Sequence, residues 1–372
     1  MIYLDHNATT PPDERVVEAM LPFLGRFHGN PSALYRFGRL SRGAIDTARE
    51  QVAALVGARP AEVIFTSGGT EANNFALKGL AEALDPGVIV CGATEHPAVT
   101  APLEFLSRRG WTLQTLPVDG HGVPEFAALP HCVTAETRLG ALMLANNETG
   151  VIHETRPLAK ALRRVGACLH VDAVQAAGKI PLDFASTGAH TMALSAHKLH
   201  GPKGVGALIA ERLTPLEPLL HGGGQEQDRR GGTENVAGIV GFGKAAELAR
   251  IELEERRRHT HHLRLRLEAG LRSLPDVVLF SESAVRLPNT LLFSVPGFDG
   301  ETLVMHLDRL GFAVSSGSAC ASGGNEPSPV LLAMGVEESI ARGAIRVSLG
   351  RGNTETEVDQ LVEAIRGLIP AF

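Results

Sequence analysis

An apolar run gives way to a polar turn in the stretch Thr191-Met192-Ala193-Leu194-Ser195-Ala196-His197-Lys198-Leu199-His200-Gly201-Pro202-Lys203-Gly204. Its first four residues are typical of the end of a buried strand. The glycines and the proline then favour a sharp turn. A lysine at such an exit, beside a hydroxyl and an imidazole, suits Schiff-base chemistry, although a lone loop lysine is usually ordinary. Whether Lys198 is reactive is therefore decided by the rest of the chain.

Short apolar runs alternate with helical stretches from about residue 40 to residue 250. Strands are predicted at residues 63–66, 88–90, 142–144, 169–172 and 192–194. Helices are predicted between them at residues 71–84, 97–109 and 158–165. This alternation predicts an α/β fold with a mostly parallel sheet and helices on both faces. Ligands gather beyond the carboxyl ends of such strands, where Thr66, Asp172 and Lys198 fall.

The composition changes near residue 251, where a long charged helix is predicted. Its charge run at 252–259 is typical of a solvated face, and we interpret the helix as a connector between domains. Beyond it, strands and helices of a smaller α+β domain are predicted at 290–295, 344–349, 301–310 and 355–368. The predicted domains are a large one of residues 14–250 and a small one of residues 1–13 and 251–372.

Bulk properties exclude several classes of protein. The chain has 372 residues, 44% of them hydrophobic, and a net charge of −6, which gives no case for a dedicated nucleic-acid surface. No apolar run approaches the roughly 20 residues of a membrane span. The first residues lack the basic and apolar regions of a signal peptide, so we expect a cytoplasmic protein. None of the four cysteines forms a C-x-x-C pair, and neither a metal site nor a disulfide framework is expected.

A glycine-rich turn at residues 66–74, Thr-Ser-Gly-Gly-Thr-Glu-Ala-Asn-Asn, leads from a predicted strand into a helix. N–H groups at a helix N-terminus bind phosphate, Gly69 allows the backbone to approach, and Thr70 adds a hydroxyl. The pattern differs from the nucleotide-binding G-x-x-x-x-G-K-[ST] loop. Simple helix capping is the alternative.

Asp172 ends a strand that is predicted to lie near the strand before Lys198. A carboxylate there matches the needs of pyridoxal phosphate, whose pyridine nitrogen must stay protonated. The alternative is a cap for a short helix at 173–177. The imidazole of His96 suits proton transfer, since an unperturbed histidine has a pKa near neutrality; a structural histidine is the alternative. Asn147 offers an amide to a substrate carboxylate or a ring oxygen, although Asn-Asn-Glu-Thr-Gly alone would indicate a turn.

Taken together, the chain resembles the cysteine desulfurases of the NifS/IscS type, which are pyridoxal-phosphate enzymes of aminotransferase class V. The resemblance runs nearly end to end. It is carried by residues 3–11, 29–32, 66–74, 94–96, 146–150, 170–175, 195–206, 221–224, 229–235, 315–320 and 345–350. It implies a fold-type-I architecture with a large cofactor-binding domain and a smaller α+β domain. One departure is Tyr35, where family members commonly carry histidine.

The resemblance implies a role for each matching residue around the cofactor. Lys198 would bind it covalently, Asp172 would pair with the pyridine nitrogen, and Gln175 would lie on the ring-hydroxyl side. His96 would stack on the ring and transfer protons. The residues expected at the cofactor phosphate are Gly69, Thr70, Ser195 and His197. Thr233 would reach that phosphate from the partner subunit of a homodimer.

The same resemblance implies how the substrate, L-cysteine, is bound and used. Asn147 and Arg346 would hold its carboxylate, since an arginine fork accepts a carboxylate with two bonds. The thiolate of Cys320 would attack the substrate sulfur and become a persulfide, leaving alanine, with His96 as the candidate for taking the thiol proton. Small polar neighbours predict a mobile loop at about 315–328, although a lone cysteine is most often buried. The persulfide would pass to an acceptor protein.

Two other functions fit parts of the pattern. A class V enzyme acting on a different amino acid, as a C–S lyase or transaminase, would share the same cofactor residues. A scaffold without catalysis would also keep the fold, but the presence of both Lys198 and Asp172 argues against it. The sequence does not name the sulfur acceptor, since iron–sulfur cluster assembly, tRNA thiolation, cofactor biosynthesis and DNA phosphorothioation all draw on such enzymes.

Overall fold

The computed structural model describes residues 1–295, 297–317 and 326–369. In these ranges the strands are Ile2–Tyr3 (β1), Val63–Thr66 (β2), Val88–Gly92 (β3), Thr112–Leu116 (β4), Thr137–Met143 (β5), Cys168–Asp172 (β6), Thr191–Ser195 (β7), Gly206–Ala210 (β8), Val278–Leu279 (β9), Thr290–Ser294 (β10), Phe312–Ala313 (β11), Ser315–Ser316 (β12) and Ala344–Ser348 (β13). The helices are Glu14–Leu24 (α1), Arg36–Leu55 (α2), Gly69–Glu82 (α3), Pro97–Ser107 (α4), Leu129–Cys132 (α5), Arg156–Arg164 (α6), Phe184–Thr187 (α7), Val236–Ile251 (α8), Leu253–Arg272 (α9), Gly300–Arg309 (α10), Pro329–Ala333 (α11), Glu338–Arg342 (α12) and Glu355–Leu368 (α13).

A seven-stranded sheet in the order β2-β8-β7-β6-β5-β3-β4 is the largest of the three described sheets. Strand β8 runs antiparallel to its neighbours β2 and β7, and the other pairs are parallel. Both faces are covered: Phe65 packs into one hydrophobic core, whereas the preceding Ile64 packs into another on the opposite face. Burial on both faces is what a mostly parallel sheet requires. The predicted α/β architecture is confirmed.

Two strands of this sheet, β4 and β8, were not predicted. Strand β4 lies at the sheet edge and has the sequence Thr-Leu-Gln-Thr-Leu with four exposed residues, so it lacks an apolar run. Strand β8 is fully buried, but its glycine and alanines have low strand propensity. Pairing with β2 and β7, rather than its own sequence, makes β8 a strand.

A smaller antiparallel sheet, β12-β13-β10-β9, lies in the C-terminal part of the chain. A separate hydrophobic core packs against this sheet. The core includes Leu4 from the N-terminus together with Phe293, Ile345 and Leu361. The division into residues 14–250 against 1–13 and 251–372 stays a proposal.

The charged helix predicted near residue 251 is α9, which follows α8 after a break at Glu252. Its charge run is largely exposed, as predicted, with residues 254, 255, 257 and 258 at the surface. Arg256 is only 10% exposed and bonds Glu252 at 2.7 Å, and farther along the helix Arg264 and Glu268 form a buried pair at 2.8 Å. The helix therefore packs into the protein. Among the described helices, none has the length and apolarity needed to cross a bilayer.

Candidate active site

The carboxyl ends of β2, β5, β6 and β7 meet at one edge of the large sheet, and a cavity of about 490 Å³ opens there. Parallel strands place their carboxyl ends together, which is why this edge collects ligand-binding residues. The predicted site residues that line the cavity are Gly69, Thr70, His96, Asn147, Asp172, Gln175, Ser195, His197, Lys198 and Arg346. The chain thus brings together residues that are up to 277 positions apart in sequence.

Two predicted residues are not part of this lining. Thr233 lines two other clefts, and its predicted role at the cofactor phosphate of a partner subunit stays a prediction. Cys320 lies outside the described residues, as does most of its predicted loop. Ser315, five residues before Cys320, does line the cavity. Five residues of extended chain span up to roughly 17 Å.

Lys198 ends the single helical turn Ala196–Lys198 that follows β7. Its Nζ donates to the carbonyl oxygens of Asn7 at 2.6 Å and Ala8 at 2.8 Å. The N-terminal segment therefore crosses the exit of β7 and positions the lysine amine.

Asn7, which was not predicted as a site residue, forms hydrogen bonds with several residues of the site. Its carbonyl oxygen also accepts from Gln175 Nε2 at 3.0 Å. Its side-chain Nδ2 donates to the carbonyl oxygen of Asn147 at 3.1 Å and to Thr290 Oγ1 at 2.9 Å. The residue is 1% exposed. Residues 3–11 belong to the resemblance described above, but no sequence signal distinguished Asn7 within them.

The Asp172 carboxylate is buried at the end of β6 and is oriented by two donors. Its Oδ1 accepts from Val174 N at 2.9 Å and its Oδ2 from Asn73 Nδ2 at 2.7 Å. Residues 174–179 form turns, so the short helix at 173–177, the alternative explanation for Asp172, is not present. Because Asn73 turns its NH₂ toward the carboxylate, its Oδ1 accepts from His170 Nε2 at 2.8 Å. Burial lowers the pKa of His170 to about 3, so this ring is neutral.

The cavity end near α3 is suited to an anion. The first N–H groups of α3 lack acceptors within the helix. Ser195 Oγ is buried and has no hydrogen-bond partner among the residues that the structure describes. A side chain at Gly69 would come within 2.8 Å of Val174 Cγ2, so glycine is required for this close approach. Lys203 lines the adjoining cleft with Thr70, which adds a cation that was not predicted.

His197 lies at the same end of the cavity, with its Nδ1 at 3.2 Å from Thr9 Oγ1. Burial, together with the cations of Lys198 and Lys203, lowers the pKa of His197 to about 4. The ring is therefore neutral near pH 7. A neutral imidazole still carries one N–H, which it can donate to an anion.

His96 precedes α4 and caps it, since its Nδ1 accepts from Ala98 N at 3.0 Å. With Nδ1 used as an acceptor, the proton of the neutral ring is on Nε2. Burial lowers the pKa of His96, while the Asp172 carboxylate raises it and Lys198 lowers it. The ring thus provides an N–H donor at the cavity. Taking a proton on Nδ1 would break the cap.

Arg346 on β13 is 4% exposed and is held by two neighbours. Its Nη2 contacts Asp5 Oδ1 at 2.8 Å, and its Nη1 donates to the carbonyl oxygen of Asn147 at 3.1 Å. Its Nε has no partner within the described part of the chain. A substrate carboxylate would meet a guanidinium that is already oriented and partly neutralised by Asp5, a residue with no predicted role.

Two buried carboxyl groups near the site were also not predicted. Glu95 Oε1 accepts from Met143 N at 2.7 Å, and burial raises the pKa of Glu95 to about 8. Glu148 accepts from the Ser328 hydroxyl, and burial raises its pKa to about 7. Neither position follows a motif that would have indicated a neutral acid.

Comparison with known proteins agrees with this site. The aminotransferase class-V family model matches residues 2–361. The cysteine desulfurase of Trichormus azollae is 44% identical over 371 residues, covering 99% of this chain and 93% of that protein. A solved NifS-like protein has a TM-score of 0.93 at 39% identity, covering 99% of this chain and 98% of the other. A structure of SspA in complex with cysteine has a TM-score of 0.83 at 30% identity, covering 95% and 100%.

Proposed function

The chain belongs to the class-V aminotransferase family, and from this premise we propose how its own residues carry out its reaction. Relatives named cysteine desulfurase match nearly the whole chain, so it is an enzyme of that type. The reaction converts cysteine to alanine and transfers the sulfur to the enzyme. A related structure holds cysteine, which supports L-cysteine as the substrate.

Pyridoxal phosphate fits the residues of the cavity. The phosphate would be bound by the N-terminus of α3, Thr70, His197 and the buried Ser195 hydroxyl that has no described partner. Asp172 would pair with the ring nitrogen and Gln175 would face the ring hydroxyl. When bound, the cofactor supplies an electron sink for charge at the substrate α-carbon.

Lys198 would hold the cofactor and then act as a base toward the substrate α-proton. Its amine is fixed by the carbonyl oxygens of Asn7 and Ala8, so it reaches the cavity from a defined direction. Arg346 would bind the substrate carboxylate through its Nε and the adjacent amine. The Nε2–H of His96 favours a role in donating a hydrogen bond rather than in taking the Cys320 proton.

Cys320 would carry the sulfur. Its thiolate attacks the substrate sulfur, an S–S bond forms as the substrate Cβ–S bond breaks, and the electron pair stays with the carbon skeleton, which takes up protons and leaves as alanine. The position of Ser315 at the cavity supports this role, since Cys320 follows five residues later. The persulfide would pass to an acceptor protein in iron–sulfur cluster assembly or tRNA thiolation, in the cytoplasm.

A homodimer is supported by an exposed apolar surface on α1 and the segment before α2. It includes Leu21, Leu24, Leu34 and Tyr35, with Leu24 67% and Leu34 88% exposed. Leu24 and Thr233 line one cleft, so Thr233 lies next to the α1 part of this surface. A second copy seated there would cover the apolar side chains and bring Thr233 to the partner's phosphate site.

The observation that carries the proposal is the convergence of Lys198, Asp172 and Arg346 on one cavity. Its test compares Cys320→Ser with Cys168→Ala, a matched change at a buried cysteine of β6. Cys320→Ser is expected to abolish persulfide formation and alanine release while keeping the colour of the bound cofactor, and Cys168→Ala is expected to keep all three. Alanine release by Cys320→Ser at the wild-type rate contradicts the proposed sulfur transfer.

A further inference from the structure

Lys179 is a partly buried lysine behind the cavity that has no role in the reaction described so far. Its Nζ lies 2.6 Å from Gln175 Oε1 and 2.8 Å from Asn7 Oδ1. It also lines a small cavity of about 50 Å³ together with His6 and Lys198. A lysine placed between two amide oxygens next to a cofactor residue calls for an explanation.

The two amide orientations can be assigned from the neighbouring groups. Asn7 Nδ2 faces the carbonyl oxygen of Asn147, an acceptor, so Asn7 Oδ1 is the atom that faces Lys179. Gln175 Nε2 likewise faces the carbonyl oxygen of Asn7, so its Oε1 faces Lys179. Lys179 therefore donates to both oxygens. A neutral amine has two hydrogens for this, and an ammonium has three, so the assignment holds in either protonation state.

This arrangement leaves one hydrogen of Gln175 Nε2 for a group in the cavity. The other Nε2 hydrogen is used by the Asn7 carbonyl oxygen, and Lys179 keeps the amide from turning its oxygen to the same place. An amide oxygen cannot donate a hydrogen bond, so a rotated Gln175 would repel an anionic oxygen instead of stabilising it.

We propose that Lys179 is a positioning residue that holds Gln175 with its N–H side toward the cavity, where Gln175 donates to the ring oxygen of the cofactor. The inference rests on the proposed function. It assigns the donor direction of Gln175 and a partner that enforces it.

The charged groups around Lys179 also bear on the charge of the ring oxygen. The charged and titratable groups that influence Lys179 or feel its charge are Lys198, Arg346, His6 and His197. Burial and the cations of Lys198 and Arg346 lower the pKa of Lys179 well below its ordinary value. Any positive charge that Lys179 keeps favours negative charge on a nearby ring oxygen, as the amide donor does.

The test is a pH titration of the visible absorption band of the protein reconstituted with pyridoxal phosphate. Loss of the amide donor makes a negative ring oxygen less stable. The neighbouring nitrogen through which Lys198 would bind the cofactor then holds its proton more tightly, and its pKa rises. Lys179→Met is expected to raise the pH midpoint by about one unit, a tenfold change in proton affinity. Lys160→Met, a change at an exposed lysine of α6, is expected to leave the midpoint unchanged.

A double-mutant cycle shows whether Lys179 acts through Gln175. Gln175→Ala is expected to raise the midpoint by itself, and adding Lys179→Met to it is expected to shift it less than in the presence of Gln175. Fully additive shifts, or an unshifted Lys179→Met midpoint, overturn the proposal. If Lys179→Met does not fold, Lys179→Leu replaces it: leucine also removes both donors, so a raised midpoint supports the proposal and the wild-type midpoint overturns it.

Failure of the proposed function gives a different result. A wild-type protein that takes up no pyridoxal phosphate, or releases no alanine from cysteine, contradicts that function before any variant is compared. A wild type that does both, with Lys179 variants of unchanged midpoint, contradicts only the positioning role.

Discussion

Lys198 Nζ lies 2.6 Å from the carbonyl oxygen of Asn7, although 191 residues separate the two in the chain. The same oxygen accepts from Gln175. The lysine that would bind the cofactor and the amide that would face its ring are thus held by one backbone atom. Asn7 is itself fixed by its side chain, so the geometry of the site depends on a residue that need not touch the substrate.

Replacing Asn7 by alanine is expected to destabilise the fold. The change removes the buried hydrogen bonds that join Asn7 to Thr290 Oγ1 and to Asn289 Nδ2, and each lost bond costs about 0.5–1.5 kcal/mol. Urea unfolding measures the difference. Asn74→Ala on α3, where the amide bonds only a carbonyl of its own helix among the described contacts, is the control and should cost about 0.5 kcal/mol or less. Equal losses in the two variants would contradict the role of Asn7.

Arg346→Lys is expected to raise the KM for cysteine by about tenfold to a hundredfold. Lysine keeps the charge but not the fork, and a hydrogen bond to a charged group contributes about 1.5–3 kcal/mol. Steady-state kinetics with alanine detection checks the change. Arg342→Lys on α12, at an exposed ion pair, should behave like the wild type. An unaltered KM in Arg346→Lys means that the carboxylate is bound elsewhere.

Two substitutions at His96 distinguish its role in capping α4 from its role in turnover. Asparagine can replace Nδ1 as the cap of α4, whereas alanine cannot, so only His96→Ala is expected to lose about 1 kcal/mol of stability. Both variants lack Nε2–H and are expected to lower kcat by about a hundredfold or more. Thermal unfolding and turnover are measured on the same samples. Full turnover by His96→Asn would reduce the histidine to a structural cap.

The folded protein is expected to lose stability as the pH rises, because of the buried Glu95. Its folded pKa of about 8 lies above its ordinary value of 4.5, so between these values the folded protein binds more protons than the unfolded chain. The free energy of unfolding should therefore fall by about 1.4 kcal/mol per pH unit from about pH 5 to about pH 8 through this group. Glu95→Gln should flatten that slope, while Glu50→Gln on the surface should not. A slope that Glu95→Gln leaves unchanged argues for an ionised Glu95.

Leu24→Asp is expected to separate the proposed dimer, since it places a charge in the exposed apolar surface of α1. Sedimentation velocity should show a monomer that retains pyridoxal phosphate less well, because Thr233 would no longer reach a partner's site. Leu213→Asp, at a leucine 90% exposed and outside that surface, is the matched control. A Leu24→Asp protein that sediments as the wild type does rules out this surface as the interface.

Local patterns in the sequence were sufficient for residues that follow strands. Asp172 and Lys198 were identified because apolar runs end just before them, and the parallel sheet then brings them together. Asn7, Lys179 and Glu148 were not identified from the sequence, because each is held by a partner far along the chain. Glu148 and its partner Ser328, for example, are 180 residues apart. Contacts between such distant residues produce no periodic pattern or motif in the sequence. Arg346 was identified through the resemblance, whereas its partner Asp5 required the structure.

The antiparallel pairing of β7 with β8 has a consequence for the order in which the protein folds. Ser195 pairs with Gly206, so the turn that carries Lys198 is closed by a contact between near neighbours in the chain. Short loops close at little entropic cost and form early. The bond from Lys198 to Asn7 must instead wait for the N-terminus to dock. We expect refolding to shape the lysine turn first and to complete the site only in its last step.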